Sequence, residues 1–462
     1  MVRAASCSVT APRRLFGTDG VRGVANVEPM TCETVLRLGR AVVHQCRQAG
    51  VESPRIVIGK DTRLSGDMLE SALTAGICSG GGHVLLAGTL PTPAVAYLTR
   101  VLQATAGAVV SASHNPFQDN GIKFFGDTGF KLPDEVEQEI EDLLLDESTP
   151  VRTVDAGALG AARRIEDAER RYIEFLASLV PRELTLKGLK VAIDCAHGAA
   201  YRVGPQILER LGATVIAIGV SPDGRNINHH AGATHPQRLQ DTVCTEGAQV
   251  GVALDGDADR LILVDESGAV VDGDEVLAMT AAEMMARGTL NQATVVATVM
   301  SNLGLELALR ERGVRLVRVQ VGDRYVVAAM RQHGYNLGGE QSGHLIFLDH
   351  STTGDGLVAA LAVLRLLVER RRPLSELKRA MTRFPQVLLN VPVQARRDLD
   401  GIEPVRQTVA RVRAALNDRG RVLVRYSGTE PLVRVMVEGE DAGTVQKYAE
   451  EIAAVLREQL GG

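Results

Sequence analysis

Four times along the chain a run of branched aliphatic residues stops abruptly in a loop of Gly, Asp, Ser or Asn. The runs are RIVIGKDTR (55–63), AVVSASHNP (108–116), KVAIDCAHG (190–198) and VGVALDGDAD (250–259). A strand with no polar alternation is covered on both faces, so these belong to sheets flanked by helices, with largely parallel strands. The fold class is α/β. Helical periodicity fits between the strands: Asp134–Leu145 carries apolar residues at 136, 140, 143 and 144, and Thr444–Leu460 at 445, 448, 452, 455 and 456. In such sheets ligands collect beyond the carboxyl ends of the strands, where the polar loops lie.

At 462 residues the chain is several domains long. Charge-rich connections at 146–164 and 370–383, and a further break near 262, divide it into 1–155, 156–262, 263–380 and 381–462. The last unit reads differently. It runs strand, helix (Val405, Val409, Val412, Leu416), hairpin (VLVRYSGTEPLVRVMVEG) and helix, a small α+β unit with an antiparallel sheet.

Lys+Arg 51 against Asp+Glu 56 gives a net charge of −5, and with no Trp and 3% aromatics the chain has neither the field nor the stacking platforms of a nucleic-acid binder. The longest apolar stretch, Leu357–Val368, is too short to span a membrane. Residues 1–14 lack the apolar segment of a secretory signal, and six scattered cysteines form no CxxC pair, which points to the cytoplasm and to reduced, buried thiols.

The most specific loop is Asp255-Gly-Asp257-Ala-Asp259-Arg260, directly after an apolar strand. Three carboxylates at alternate positions of an extended segment project to one side, and hard oxygen donors of that kind suit Mg²⁺. A calcium-loop reading fails because Arg260 stands where the sharp turn needs Gly. A solvated acidic turn and an Asp-nucleophile phosphatase, attacking through Asp255, are the other readings of this loop.

Ser111-Ala-Ser113-His114-Asn115-Pro116 closes another apolar strand, a setting for an exposed nucleophile or phosphate carrier, although a plain polar turn accepts the same residues. Lys123, one of only 7 lysines, follows an Asn-Gly turn, where partial desolvation is expected to lower its pKa toward neutrality. Gly338-Gly-Glu340-Gln-Ser342-Gly-His344 mixes acceptor, hydroxyl and imidazole, as a polyol ligand requires. Arg425-Tyr-Ser427-Gly428-Thr429-Glu-Pro431 has the ingredients of a phosphate cradle.

In this order, and with Phe16-Gly-Thr-Asp-Gly-Val-Arg22-Gly23, Gly322-Asp-Arg-Tyr-Val326 and Thr353-Gly-Asp-Gly356, the loops resemble the α-D-phosphohexomutase superfamily, and within it the bacterial branch that works on glucosamine phosphates. The resemblance covers residues 14 to 460. It implies three related α/β domains plus a smaller, lid-like C-terminal α+β (TBP-like) domain around a central cleft. Ser113 would be phosphorylated for activity and, with Asp255, Asp257 and Asp259, would hold one Mg²⁺ per active site. Lys123 and His344 would transfer protons, with Arg260 nearby. Arg22, His114, Glu340 and Ser342 would contact the sugar phosphate, and Arg425, Ser427, Gly428 and Thr429 its non-reacting phosphate. A small phosphosugar is the expected partner, with no nucleic acid or membrane, in a homodimer.

Overall fold

The computed structural model describes residues 15–17, 19–146, 153–427 and 431–461. They form four sheets. The first contains β1 (Phe16–Gly17), β2 (Gly20–Val24), β3 (Arg55–Lys60), β4 (His83–Thr89), β5 (Ala106–Val110), β6 (Asp119–Gly126) and β7 (Ala162–Arg164), in the order β1-β2-β6-β5-β3-β4-β7. The second, β12-β11-β10-β8-β9, is built from β8 (Lys190–Asp194), β9 (Thr214–Ile218), β10 (Val250–Leu254), β11 (Leu261–Asp265) and β12 (Val270–Val271). The third, β14-β13-β15-β16, uses β13 (Thr294–Thr298), β14 (Arg315–Val319), β15 (Leu337–Gly339) and β16 (Leu345–Phe347). The fourth, β17-β19-β18, is wholly antiparallel and consists of β17 (Gln386–Pro392), β18 (Gly420–Tyr426) and β19 (Leu432–Gly439).

The first three sheets are mixed rather than largely parallel. Each has a parallel centre (β3 with β4 and β5, β8 with β9 and β10, β13 with β14 and β15) and an antiparallel return strand: β6 beside β5, β11 beside β10, β16 beside β15. The reason lies in connection length. A parallel neighbour needs a crossover of about a dozen residues or more, and the loops after β5, β10 and β15 are shorter, so the chain must turn straight back. The loops after β5, β10 and β15 are therefore the same structural object, the turn joining a strand to its antiparallel neighbour.

Two short strands lie beyond the breaks read from the sequence yet pair with the sheet before them, and β11 itself spans the break near 262. Strand β7 pairs with β4 of the first sheet although it lies beyond residue 155, and β12 pairs with β11 of the second sheet beyond residue 262. The apolar run 357–368 forms the helix Gly356–Arg370, buried along most of its length in the interior shared by the first three units. Each buried Leu there contributes about 2 kcal/mol. Its N-cap, Asp355, accepts from the N–H groups of Leu357 and Val358 and from the hydroxyl of Tyr172 at 2.8 Å.

Among the described residues no helix is long and apolar enough to cross a membrane. The five described cysteines are unpaired. Cys46 and Cys195 are buried as expected, whereas Cys244 is exposed because it lies on the outer side of the helix Gln237–Glu246.

Candidate active site

Ser113 sits in the turn after β5 with a left-handed backbone, φ +51°, and is 1% exposed. Its Oγ donates to Asp255 Oδ2 at 2.6 Å, and its N–H donates to Ser111 Oγ at 2.9 Å. His114 Nδ1 lies 3.3 Å from the same Oγ. Burial, then the charges of Arg260 and Arg22, pull the His114 pKa down to about 4, so the ring is neutral at ordinary pH and available as an acceptor. The setting suggests an exposed nucleophile, but packing of the turn buries this hydroxyl, whereas the candidate residues Arg22, His114, Arg260 and Glu340 are half-buried.

Asp255, Asp257 and Asp259 each present a carboxylate oxygen within 4.8 Å of the other two. They converge because the segment is a turn, not the extended run the spacing predicts: Ala258 N–H closes onto Asp255 O at 3.0 Å, and Ala258 has φ +57°. All three residues are buried, and Asp257 Oδ1 and Asp259 Oδ1 have no hydrogen-bond partner among the described residues. Burial, then repulsion from Asp259 and Asp257, pushes the Asp255 carboxyl well above its usual range. Hard, anionic oxygens left unsatisfied and mutually repelling fit a small divalent cation. Thr92, which the sequence did not single out, steadies the turn from the first unit: its Oγ donates to Asp257 Oδ2 at 2.6 Å and its N–H to Asp257 O at 3.0 Å.

Lys123 corrects the sequence expectation. Burial alone would lower its pKa, but Asp19 Oδ2 at 2.9 Å, Asp257 Oδ2 at 2.9 Å and Asp259 Oδ2 at 3.5 Å outweigh burial and hold it well above the ordinary lysine value. In this arrangement the amine is a fixed cation. The decisive extra carboxylate, Asp19, also pairs with Arg22 and Lys131.

His344 enters from the third unit. An antiparallel bridge joins it to Arg260, and Gly343 makes the close approach feasible: its φ is +90°, and a Cβ there would lie 2.1 Å from Leu261 O. His344 Nδ1 is 3.6 Å from Asp259 Oδ1. Its Nε2 lies between Gly354 N–H at 3.2 Å, from which it accepts when neutral, and Asp323 Oδ2 at 3.5 Å, to which it donates when protonated. Burial opposes the charged ring, yet Asp259, Asp323 and Glu340 raise its pKa to about 9. Asp323 in turn pairs with Lys131 at 2.5 Å. Glu340 accepts from Gly322 N–H at 3.0 Å and Ser342 Oγ at 3.2 Å, which orients its carboxylate at the edge of the third sheet. The Arg260 guanidinium lies against Asp259, 3.9 Å from its carboxylate.

The contacts of the fourth unit's candidate residues involve other groups. Arg425, near the end of β18, approaches Met300 Sδ of the third unit at 3.9 Å, and Ser427 is buried with its N–H donating to Leu432 O at 2.9 Å. Gly428 and Thr429 lie outside the described residues. Ser113, Lys123, Asp255, Asp257, Asp259, Arg260 and His344 are thus brought together, and Asp19, Thr92, Lys131 and Asp323 join them.

Four matches run along the chain in order: the phosphoglucomutase/phosphomannomutase α/β/α domain I over residues 13–150, domain II over 170–268, domain III over 272–384 and the C-terminal domain over 388–455. The chain belongs to the phosphoglucomutase/phosphomannomutase family. Among its relatives, the phosphoglucosamine mutase of Sorangium cellulosum is 55% identical over 98% of this chain and 94% of that protein. The phosphoglucosamine mutase of Anaeromyxobacter dehalogenans is 56% identical over 97% and 100%. In fold, the chain resembles a phosphoglucomutase/phosphomannomutase family protein of Burkholderia thailandensis, with a TM-score of 0.79, 24% identity and coverage of 96% and 97%. It also resembles the Aspergillus fumigatus N-acetylphosphoglucosamine mutase solved with GlcNAc-6P and magnesium, with a TM-score of 0.67, 17% identity and coverage of 96% of both chains.

Proposed function

We propose that the protein is a phosphoglucosamine mutase, an isomerase that interconverts glucosamine 6-phosphate and glucosamine 1-phosphate. The observation that carries the proposal is the 2.6 Å contact of the Ser113 hydroxyl with Asp255 inside a three-carboxylate cluster. The relatives named above, more than half identical over nearly the whole chain, support the sugar.

On this reading phosphorylated Ser113 gives its phosphoryl group to O1 of glucosamine 6-phosphate. The sugar O1–H proton leaves to a base, the new O–P bond forms as the Ser113 Oγ–P bond breaks, the freed Ser113 Oγ takes up a proton from a general acid, and a 1,6-bisphosphate results. After the sugar reverses, the 6-phosphate returns to Ser113 and glucosamine 1-phosphate is released. Asp255, Asp257 and Asp259, with a phosphate oxygen on Ser113, would hold one Mg²⁺, which supplies charge neutralisation for the transferring group. His344, raised to about 9, suits a proton donor. Lys123 contributes a buried positive charge and a hydrogen-bond donor beside the cluster. Arg260 and Arg22 face the phosphoryl group, His114, Glu340 and Ser342 the sugar, and the Arg425–Ser427 turn, with Gly428 and Thr429, the phosphate that is not reacting.

The reading carries with it a cytoplasmic enzyme supplying amino-sugar nucleotide and cell-wall precursors. It also carries a homodimer, which light scattering checks. The direct test is turnover of glucosamine 6-phosphate against glucose 6-phosphate and mannose 6-phosphate with added Mg²⁺, combined with peptide mass analysis for one acid-stable phosphate on Ser113. Faster turnover of either hexose phosphate would reassign the substrate. An alkali-labile phosphate on Asp255 would overturn the mechanism.

A further inference from the structure

The Ser113 turn is gripped through its backbone from two units at once. From the first unit, the fully buried side chain of Arg63 donates Nη2 to the carbonyls of Ser113 at 2.8 Å and Asn115 at 2.9 Å. Its Nη1 serves the carbonyls of Pro116 and, at 3.0 Å, Asp119, and its Nε donates to Asp61 Oδ2 at 2.8 Å. From the second unit, Asn228 donates Nδ2 to the same two carbonyls, Ser113 at 2.9 Å and Asn115 at 3.1 Å. Asn228 is 6% exposed, and its own N–H is fixed to Ala196 O at 2.9 Å.

We propose that Asn228, acting with Arg63, is a positioning residue for phosphoryl transfer, holding the left-handed Ser113 turn in register with the carboxylate cluster. The proposal rests on the reading of Ser113 as the phosphoryl carrier. Three points carry it. A φ of +51° is a conformation a serine leaves unless its surroundings hold it there. The contacts that Arg63 and Asn228 make with the turn go to its carbonyl groups, not to the Ser113 hydroxyl, so both act on it through the backbone. Asn228 belongs to the unit that bears Asp255, Asp257 and Asp259, so the clamp is complete only when that unit is docked. Gly256, between two of those aspartates, confirms how closely the turns fit: a Cβ there would lie 2.5 Å from Ser113 O and 2.8 Å from Asn228 Nδ2.

The test compares full-length wild type, Asn228→Ala, Arg63→Lys and the double variant for kcat and KM with glucosamine 6-phosphate, for phosphate occupancy by intact mass, and for hydrogen exchange of the segment 111–116. A displaced nucleophile with an intact sugar site predicts a kcat about 10²-fold lower in Asn228→Ala with KM within about threefold of wild type. It also predicts faster exchange confined to 111–116, and a double variant losing less than the product of the single losses because the two donors share acceptors. The proposal is overturned by a kcat within about twofold of wild type, by a loss accounted for by unfolded or unphosphorylated protein, or by unchanged exchange at 111–116. Should wild type itself leave glucosamine 6-phosphate unconverted, the functional reading fails, and the exchange measurement still decides whether the clamp exists.

Discussion

Lys131 and Asp323 meet at 2.5 Å across the boundary between the first and third units, and they form the middle of an alternating chain of charge. It runs from Lys123 through Asp19, Lys131 and Asp323 to His344, so the fixed cation and the candidate proton donor are joined by three residues. Lys131 is 15% exposed at its side chain, and removing it leaves two enclosed carboxylates facing one another. Lys131→Met is expected to destabilise the protein by about 1–2 kcal/mol, below the scale for a fully buried pair because these groups are partly exposed and Asp19 keeps Lys123 and Arg22. Replacing Asp323 by Asn in the same chain should recover part of the loss. Urea midpoints of the single and double variants measure both effects.

The carboxylate cluster makes a prediction with two signs. Without a cation, Asp255 is buried beside Asp257 and Asp259, and its neutral isostere relieves that repulsion while keeping a partner for Ser113. Asp255→Asn should therefore melt higher than wild type after exhaustive chelation. Wild type should gain stability as Mg²⁺ is added, since a ligand that binds only the folded state stabilises it by mass action. The variant should respond little. Paired thermal melts with EDTA and with a Mg²⁺ titration read this directly, and chelation should abolish wild-type turnover.

Ser113→Ala should remove at least about 10³-fold of the turnover, because it deletes the proposed covalent carrier. The fold should survive, since the backbone grip on the turn does not use the hydroxyl. Coupled-assay rates, with circular dichroism to verify folding, check this. Retention of activity by this variant would leave the family fold intact and the chemistry unexplained.

Asp274 offers a pH signature away from the active site. It is buried, accepts from Asn302 N–H at 2.7 Å, and has a second oxygen without a hydrogen-bond partner among the described residues. Burial, then the charge of Asp272, raises its pKa to about 7. A carboxyl with a folded value above its unfolded one binds more protons when folded, so its stabilising contribution is fully present below about pH 4 and is lost as pH rises through about 7. Wild type should lose roughly 2–4 kcal/mol relative to Asp274→Asn between those limits. Denaturant midpoints of both proteins at pH 5 and pH 8 test the sign, and a parallel pH dependence in the two would refute the assignment.

Much of the site was legible because its parts are local. An aliphatic strand that ends in DGDADR or SASHNP declares both its own burial and the position of its polar loop, and the structure joins those two loops through Ser113 and Asp255. What escaped reading depends on distant partners. Thr92 and Lys131 are isolated polar residues, and Asp19 and Asp323, though inside motifs quoted above, gain their importance from charged partners far along the chain. Lys123 shows how this reverses a conclusion: desolvation is foreseeable from Phe124 and Phe125, but three surrounding carboxylates are not, and they set the sign of the shift. The antiparallel return strands were implicit in the shortness of the loops, whereas β7 crosses back to the first sheet without any local signal.

The hydroxyl of Ser113 and the carboxylate it touches are separated by 142 positions and ride on separately hydrogen-bonded sheets. During synthesis the chain is therefore inert until both sheets have emerged and docked, and the imidazole of His344 arrives later still. A nascent or proteolysed fragment ending before that point would lack at least one of the side chains that meet at the candidate site.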